Sequence, residues 1–407
     1  MEKHGNWYYA YFPYGIAFGI FSVLSPLYLV EILGGSLFDL GVMISISTLF
    51  GIPASILFGR LPDRFGRTKP FILAAFLSLS LLFFLLSEVR SILVFQILYA
   101  LLTVADTLHP PSTSVLIAES YQKKSWGTAF SRYNFVVGVA QALGLAFCSL
   151  FITNVGYRTM LWIGGPLSLA SFLIALIVVE EPPLYVERWI SRLERPIDEV
   201  SSLSYQLDAQ SYSPARNSRR IRLEQSPRMF HLGIGFMMFS LAATCAFTSL
   251  PVYLTRKAFM LPSVVFTVFL VRSVVGTFSY IIVGRWISGH NGEAAVKAAA
   301  GLRVLLVLLL ATISLVPIHL SPFIATIILS SLAFSWSLFS VGRSTVIMEY
   351  ASEGTIGTYD ALDGLGSMVG GLLGGAVSAM YSFEILFVAG SAFFALAFLL
   401  FIKGSRH

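Results

Sequence analysis

The chain has 407 residues, of which 56% are hydrophobic and 12% are charged, and its formal net charge is +6. Soluble domains rarely exceed about half apolar residues, so this hydrophobic excess excludes an ordinary soluble protein and indicates one embedded in a lipid bilayer. The positive charge does not require a nucleic acid partner, because basic residues collect in the cytoplasmic loops of membrane proteins. The two cysteines, Cys148 and Cys245, lie in apolar segments without ligand-type neighbours, which indicates neither a disulfide nor a metal site.

Twelve stretches are long and apolar enough to span a bilayer, which takes about 20 residues. The first lacks the basic start and the small-residue cleavage site of a signal peptide, so we interpret it as a span. The predicted spans, numbered 1 to 12 in chain order, are residues 10–32, 37–59, 70–87, 91–118, 126–152, 159–179, 230–254, 262–284, 296–317, 322–348, 357–380 and 383–402. The sequence therefore predicts an all-α polytopic membrane protein with twelve transmembrane helices.

A polar segment separates the sixth predicted span from the seventh. It covers residues 180–229 and contains five prolines and eight arginines. The chain thus divides into an N-terminal six-helix bundle at residues 1–179, this central linker, and a C-terminal six-helix bundle at residues 230–407. Within the linker, "YVERWISRLER" has apolar residues on one helical face, which is typical of a helix lying on the membrane surface. An ordinary solvated linker helix explains that pattern equally well.

The basic residues are distributed unevenly between the two sides of the membrane. With the N-terminus inside, 19 of the 27 Lys and Arg residues fall in inner segments, four in outer loops and four within spans. The positive-inside rule then places both termini and the central linker in the cytoplasm. We expect a multi-pass protein of the plasma membrane that acts as a monomer.

The two halves of the chain repeat each other weakly. "ESYQKKSWGT" at residues 119–128 aligns with "EYASEGTIGT" at residues 349–358 at an offset of 230, and the same offset relates Gly144 to Gly374. Parallel repeats of this kind are typical of transporters that hold the substrate near the midplane, between the two halves. Glycines also recur every four residues in span 11, which predicts a smooth face for close helix packing. These glycines are Gly366, Gly370 and Gly374.

The stretch "FGRLPDRFGRTKP" at residues 58–70 concentrates charge between spans 2 and 3. Its Gly-x-Leu-x-Asp-Arg-x-Gly-Arg pattern resembles the motif that the major facilitator superfamily carries in the same loop. A decayed copy, "VGRWISGHNG" at residues 283–292, lies between spans 8 and 9 and has Ser288 where the first copy has Asp63. The twelve spans and the long central linker agree with that resemblance. It implies two pseudo-symmetric six-helix bundles and secondary transport by alternating access.

In the resembling family this loop closes the cytoplasmic side against span 11, which implies a gating role here. Two glycines would permit a tight turn, the arginines would form forked hydrogen bonds, and Asp63 would lie by the N-terminus of span 11, where a carboxylate is stabilised. A basic loop that only fixes topology is the alternative, although Asp63 adds nothing to topology. For Asp360 the alternative is a role at the helix end. The predicted gating residues are Gly59, Asp63, Arg64, Gly66, Arg67 and Asp360.

Ionisable residues at membrane depth are rare in this chain and are candidates for function. Asp106 and His109 in span 4 are three residues apart and share a helical face. Pro110 and Pro111 follow them and leave carbonyl groups without their helical donors. This is the best candidate for a site that handles a proton or a substrate. A structural kink, with Asp106 tied to a neighbouring arginine, is the alternative.

Other polar residues extend the predicted pathway to spans 5, 8 and 11. Arg272 would either bind an anionic group of the substrate or neutralise Asp106 or Asp363. Arg303 and Arg343 are interpreted as lying near cytoplasmic helix ends, where long basic side chains reach the interface. The residues predicted along the substrate or proton pathway are Asp106, His109, Arg132, Asn134, Gln141, Arg272 and Asp363.

These observations predict a secondary active transporter of a small organic solute, with protons as the expected coupling ion and no cofactor. An uncoupled uniporter and a non-transporting sensor on the same scaffold stay open as alternatives. A multispan enzyme is disfavoured, because His109 is the one histidine well inside a predicted span. Direct use of ATP is disfavoured too, because the sequence has no Gly-x-x-x-x-Gly-Lys phosphate-binding pattern. The sequence leaves the charge of the solute and the direction of transport undecided.

Overall fold

The computed structural model describes residues 6–65, 67–121, 126–181, 227–287, 292–350 and 356–404. At some positions within these ranges, including Asp63 and Arg64, the side chain is not described. Residues 182–226 of the central linker, with the predicted surface helix, lie outside the described residues, and so do residues 122–125 and 351–355 within the aligned repeat.

The described residues fold into helices joined by short connections. A 3₁₀ turn, Trp7–Ala10, precedes the first α-helix and a π turn, Tyr28–Ile32, extends it. The α-helices are α1 (Tyr11–Leu27), α2 (Leu37–Phe65), α3 (Lys69–Glu88), α4 (Ile92–Asp106), α5 (His109–Ser120), α6 (Trp126–Val155), α7 (Tyr157–Val178), α8 (Pro227–Phe247), α9 (Leu250–Arg256), α10 (Pro262–Ile287), α11 (Gly292–Ala311), α12 (Ser321–Tyr350), α13 (Ile356–Met380) and α14 (Phe383–Gly404).

In the described part of the chain, twelve helical segments are long and apolar enough to cross a membrane, which confirms the predicted number of spans. Two spans are interrupted. Span 4 consists of α4 and α5, and its break directly precedes His109, where Pro110 and Pro111 predicted a kink. Span 7 consists of α8 and α9, and its break, just before Pro251, was not predicted. Both breaks leave proline in the first turn of the next helix, where its missing N–H is not needed.

Helix α2 is longer than predicted. It continues to Phe65, whereas the predicted span ended at residue 59. The leucine and arginine residues after this point are good helix formers, so the charged stretch begins as a helical extension. Gly59 therefore lies inside a helix, and the tight turn predicted at this position is wrong.

Alternating spans place the two ends of the bundle on opposite sides of the membrane. We call the end that carries the α2–α3 and α12–α13 connections the basic face, because the charged stretch 58–70 lies there. The other end, which carries the α3–α4 and α6–α7 connections, is called the opposite face.

The helices pack into two groups of six spans. In the first half α1 packs on α6 and α7, α2 on α4, and α3 on α7. In the second half α8 packs on α13 and α14, α11 on α12 and α14, and α10 on α12. The halves meet along α2 with α13 and along α6 with α10. This arrangement confirms the predicted fold of two six-helix bundles.

The predicted glycine face of span 11 is confirmed as a close-packing surface. Its three glycines face backbone carbonyls of α8. A Cβ atom added to Gly366, Gly370 or Gly374 would lie 2.2 Å, 2.3 Å or 2.4 Å from the nearest carbonyl oxygen. The carbonyls belong to Met237, Leu241 and Cys245. Only glycine permits the two backbones to approach so closely, as in small-residue packing of membrane helices.

The first half has the same kind of close contact between a glycine and a backbone carbonyl at the equivalent place. A Cβ atom on Gly144 of α6 would lie 2.2 Å from the carbonyl oxygen of Ile16 in α1. Gly374 faces Cys245 in the second half, so both partners of this contact recur at offsets of about 230 residues. The weak repeat detected in the sequence therefore corresponds to a repeated helix contact.

We expect Gly370→Ala to lower the stability of the folded protein. The added methyl group would press on the Leu241 carbonyl oxygen, and overpacking of this kind costs about 1–3 kcal/mol. The matched control is Gly284→Ala in α10, because nothing lies within 4 Å of a Cβ atom there, and alanine favours a helix by up to about 1 kcal/mol. The apparent Tm of the purified protein in detergent measures both. Equal Tm values for the two variants would contradict the packing role.

Candidate functional site

The first polar network inside the bundle joins α1 to the break in span 4. The hydroxyl of Tyr14 donates to Asp106 Oδ1 at 2.5 Å, and His109 Nε2 lies 3.2 Å from the same hydroxyl. His109 Nε2 is 3.4 Å from Asp106 Oδ1, so these two residues, which were predicted to share a helical face, lie in contact. Among the described contacts of Asp106 none is with an arginine, whereas the kink of the alternative interpretation is present as the break between α4 and α5.

The break in span 4 positions these three side chains. Helix α4 ends at Asp106 and α5 begins at His109, so the carboxylate and the imidazole lie on the two sides of a short turn. The imidazole is buried against the rings of Tyr11 and Tyr14, whose centroids lie 5.5 Å and 5.1 Å away. The Asp106 side chain is 26% exposed, against 6% for His109. The carboxylate is thus the more accessible end of the network.

A second polar network lies at the basic-face end of the second half. Arg343 Nη2 in α12 donates to Asp360 Oδ1 at 2.7 Å. Its Nε lies 2.9 Å from Asp363 Oδ2 as an ion pair, although this N–H is not directed at the oxygen. The hydroxyl of Ser240 donates to Asp363 Oδ1 at 2.6 Å. Asp363 is therefore neutralised by a permanently charged arginine.

A cavity of about 240 Å³ lies between the two halves. Polar groups from the first half, Ser25 and Tyr99, face groups of the second half across it. It also reaches Thr248, at the break between α8 and α9. Interrupted helices at membrane depth are typical of substrate sites, because their free backbone groups need polar partners or water. Ser22 and two arginines, Arg272 and Arg303, complete the polar lining.

Polar contacts join the halves on the side of the opposite face. The Ser45 hydroxyl of α2 donates to the Met368 carbonyl of α13 at 2.7 Å. Arg256 at the end of α9 pairs with Glu31 beyond α1, with Nε and Oε1 at 2.8 Å. On the α6–α10 seam, Ser149 Oγ and Thr267 Oγ1 are 2.6 Å apart. These contacts hold the opposite-face ends of the halves together.

The remaining predicted pathway residues are not brought into either network. Arg132 and Asn134 lie exposed near the basic-face end of α6. Gln141 is half-buried, and its backbone packs against Gly19. Asn134 shares the face of Gly138, which contacts α10. Their roles in a pathway stay predictions.

The gating prediction falls partly outside the described residues. Gly66 and the side chains of Asp63 and Arg64 are not described, whereas Arg67 is exposed. The side chain of Asp360 is 63% exposed and pairs with Arg343. The residue also lies in the second turn of α13, so its gating role and its helix-end role both stay predictions.

Two interpretations of basic residues are corrected. Arg303 does not reach the interface: it lies in the middle of α11 and is 3% exposed. Arg343 lies near the basic face as expected, but it pairs with two carboxylates. Arg272 neutralises neither predicted acid, since Asp106 and Asp363 have other partners.

Several site residues were missed by sequence reasoning. Tyr14 and Ser240 carry no charge, and nothing in span 1 or span 7 distinguishes them from other tyrosine or serine residues. The depth of Arg303 in its span was a signal that was misread, since the twelfth residue of a twenty-residue helix is too deep to reach the interface with ease.

The fold and the site together define a membrane transporter scaffold: two six-helix halves, a cavity between them, and polar networks reaching from each half toward the interior. The chain belongs to the Major Facilitator Superfamily, whose profile matches residues 8–359. It is therefore a multi-pass membrane protein of a transporter family and not an enzyme.

Two characterised proteins show partial sequence similarity. The tetracenomycin C resistance and export protein of Streptomyces glaucescens is 28% identical over 125 residues, which are 30% of this chain and 23% of that protein. The multidrug resistance protein MdtG of Escherichia fergusonii is 30% identical over 172 residues, which are 41% of each chain. The matched stretches thus span less than half the length of these relatives.

Solved structures match over nearly the whole chain. A variant of the nucleoside transporter NupG has a TM-score of 0.76 at 13% identity, with 98% of each chain covered. The xylose transporter XylE of E. coli, in a partially occluded inward-open conformation, has a TM-score of 0.68 at 13% identity, with 97% of this chain and 98% of that chain covered. At this identity the likeness shows the fold alone.

We expect Arg343 and Asp363 to be energetically coupled. Arg343→Gln would leave a largely buried carboxylate without its cation, and Asp363→Asn would leave the cation with one carboxylate. Contacting residues of this kind couple by about 0.5–3 kcal/mol, so the double variant should lose less stability than the two single losses together. The coupling is obtained from the apparent Tm values, in detergent, of the unmodified protein, the two single variants and the double variant.

The exposed pair of Glu88 and Arg158 on the opposite face is the matched control. Its side chains are 66% and 50% exposed, and such pairs contribute less than about 1 kcal/mol. Additive losses at Arg343 and Asp363 would show that the ion pair does not hold α12 to α13.

Proposed function

We propose that this protein moves a small organic solute across the plasma membrane by alternating access and couples this movement to protons. The observation that carries the proposal is the Tyr14–Asp106–His109 network in the interior of the first half. A carboxylate and an imidazole in contact at membrane depth are typical of proton relays.

The chemistry of the network suits reversible proton binding. Tyr14 donates its hydrogen bond to Asp106, which stabilises the ionised carboxylate, and a protonated His109 would stand beside that carboxylate as a counterion. Loss of a proton from the imidazole leaves the carboxylate with its tyrosine donor. The pair can therefore change its charge by one proton, and the partly exposed Asp106 gives that proton a route to water.

The second half offers no equivalent titratable pair among its described polar contacts. Asp363 stands beside Arg343, and an arginine keeps its proton at all physiological pH values. The carboxylate therefore has a counterion that does not itself exchange protons. This asymmetry favours the Asp106–His109 pair over Asp363 as the group that carries the proton.

The contacts between the halves support a rocking motion. Close glycine and serine contacts run along α2 and α13, where a Cβ atom on Gly41 would lie 2.5 Å from the Gly371 carbonyl oxygen. The ion pair of Arg256 with Glu31 closes the opposite-face end. We propose that the basic face, together with both chain termini, is cytoplasmic and that the halves rock about the α2–α13 and α6–α10 seams.

We expect Asp106→Asn to remove proton-driven accumulation while solute exchange is retained. The amide has the same shape as the carboxylate but no charge to stand beside a protonated His109, so the pair loses its counterion and an imposed gradient can no longer do work on the solute. The measurement is uptake into proteoliposomes across solute classes, with and without a proton gradient, followed by counterflow of the solute that is transported. Without coupling, the inner and outer concentrations become equal.

Glu88→Gln, an exposed acid on the opposite face, is the matched control and should accumulate solute as the unmodified protein does. Full gradient-driven accumulation by Asp106→Asn would exclude this residue as the proton site. Uptake that never responds to a gradient would favour the uncoupled uniporter, and absence of any uptake would favour the sensor.

We further propose that Asp63 helps to close the basic face against α13. Asp63→Asn should shift the resting population toward a basic-face-open conformation, because the charge that would be stabilised at the α13 N-terminus is lost. Asp63→Glu restores that charge and should restore the original balance of conformations. Labelling of single cysteines from each side of proteoliposomes measures this balance. An unchanged labelling pattern in Asp63→Asn would show that the loop serves topology alone.

A further inference from the structure

The central cavity has a charged lining of one sign. Arg272 and Arg303 both line it, and none of its described lining residues is Asp or Glu. In the part of the chain that the structure describes, neither arginine forms an ion pair with a carboxylate. Unpaired cations at membrane depth are costly, and they mark substrate or ion pathways when they persist.

Arg303 is held in place by aromatic rings rather than by an acid. Its guanidinium carbon lies 4.8 Å from the ring centroid of Phe239 and 5.3 Å from those of Phe247, Trp336 and Phe394. Cation–π contacts of this kind stabilise a desolvated cation without neutralising it. The Arg303 side chain is therefore held in position with its charge intact, and that charge can still pair with an anion.

The hydrogen bonds of Arg303 leave one end of the guanidinium unused. Nε donates to Ser335 Oγ at 3.2 Å, and Nη2 lies 3.5 Å from the Leu332 carbonyl oxygen. Nη1 is buried and has no hydrogen-bond partner among the described residues. A buried donor without an acceptor costs about 1–3 kcal/mol, so an acceptor brought by a ligand would be bound favourably here.

Arg272 approaches the same cavity from α10. It is half-buried, and its guanidinium carbon lies 5.5 Å from the ring centroid of Phe269, another lining residue. Planar guanidinium groups bind carboxylates and phosphates through paired hydrogen bonds. Two of them at one cavity repel a cationic solute and attract an anionic one.

The rest of the cavity defines the body of the solute. Its apolar side includes Leu40, Met43 and Ile44 from the first half and the Phe247 and Phe269 rings from the second. Its volume of about 240 Å³ lies below the range of about 300–1,000 Å³ that drug-sized ligands occupy. The cavity therefore fits a small molecule with one apolar end.

We infer that the cavity binds a small organic anion whose charged group lies between Arg272 and Arg303 and whose apolar body lies against Met43 and the aromatic rings. This assignment rests on the proposal that the cavity holds the transported solute. It adds the sign of the solute charge, which the sequence left undecided.

Equilibrium binding to the purified protein in detergent tests the inference without any gradient. The probes are three molecules of one shape and different charge: benzoate, benzamide and benzamidinium. A second pair, hexanoate and hexanamide, replaces the ring by a flexible chain. At least one anion should bind about tenfold more tightly than its neutral isostere, as charge-assisted hydrogen bonds require, and benzamidinium should not compete with it.

Substitutions locate the bound charge. Arg272→Gln and Arg303→Gln should each weaken binding of the anion roughly 10- to 100-fold, whereas Arg158→Gln on the opposite face should leave it unchanged. Arg272→Lys keeps the charge and should retain part of the affinity. If Arg303→Gln fails to fold, the anion affinities of the Arg272 variants test the inference alone, because Arg272 is half-buried and its substitution disturbs less packing.

Neutral isosteres that bind as tightly as the anions, or anions that bind equally well to Arg272→Gln, would overturn the inference. Anion binding without gradient-driven uptake would contradict proton coupling and leave this inference intact. Gradient-driven uptake of a neutral or cationic solute that occupies this cavity would support proton coupling and contradict the inferred binding of an anion.

Discussion

The interior of this protein is organised by one constraint: a polar group at membrane depth has no water to bind and must find a partner inside the protein. Each buried charge meets that constraint differently. Asp106 is stabilised by a tyrosine hydroxyl and a histidine, Asp363 by an arginine and a serine, and Arg303 by four aromatic rings. The positions of these groups decide where a proton or a charged solute can bind at low cost.

The two halves share a helix framework but differ in their polar chemistry. Gly144 and Gly374 make the same backbone contact in each half, which keeps the scaffold symmetric. The first half then places a carboxylate beside an imidazole, and the second half places arginines at the cavity and beside Asp363. In our account the first half binds the proton, the second half binds the anionic end of the solute, and the seams between them link the two events.

Such a link needs no contact between Asp106 and the arginines. If the protonated and deprotonated networks favour different openings of the cavity, proton binding and solute binding bias the same two-state equilibrium. The seams suit this role because they are built of small residues and a few hydrogen bonds, as at Gly41 with Gly371 and at Ser45 with Met368. Smooth backbone surfaces can rock without the repacking of large side chains.

Much of the fold could be predicted from the sequence, because each span needs a long apolar run and the basic residues mark one side. The pairing of Asp106 with His109 followed from helical spacing, and the break at His109 from its two prolines. The partners of these charges could not be predicted, because Tyr14, Ser240 and the rings around Arg303 come from other helices and carry no distinctive local pattern. The extension of α2 past Gly59 was missed because the glycines and Pro62 of the motif suggested a turn, whereas the remaining residues favour a helix.

The central claim is that the two ends of the bundle open in alternation. Double electron–electron resonance measures it most directly, with spin labels at residues 114 and 344 toward the basic face and at the exposed residues 32 and 261 toward the opposite face. Cys148 and Cys245 are buried, so labels introduced at surface cysteines report the intended sites. The account predicts that lowering the pH, or adding an anion that binds, lengthens one distance while it shortens the other. Two distances that stay constant, or that lengthen together, would contradict it.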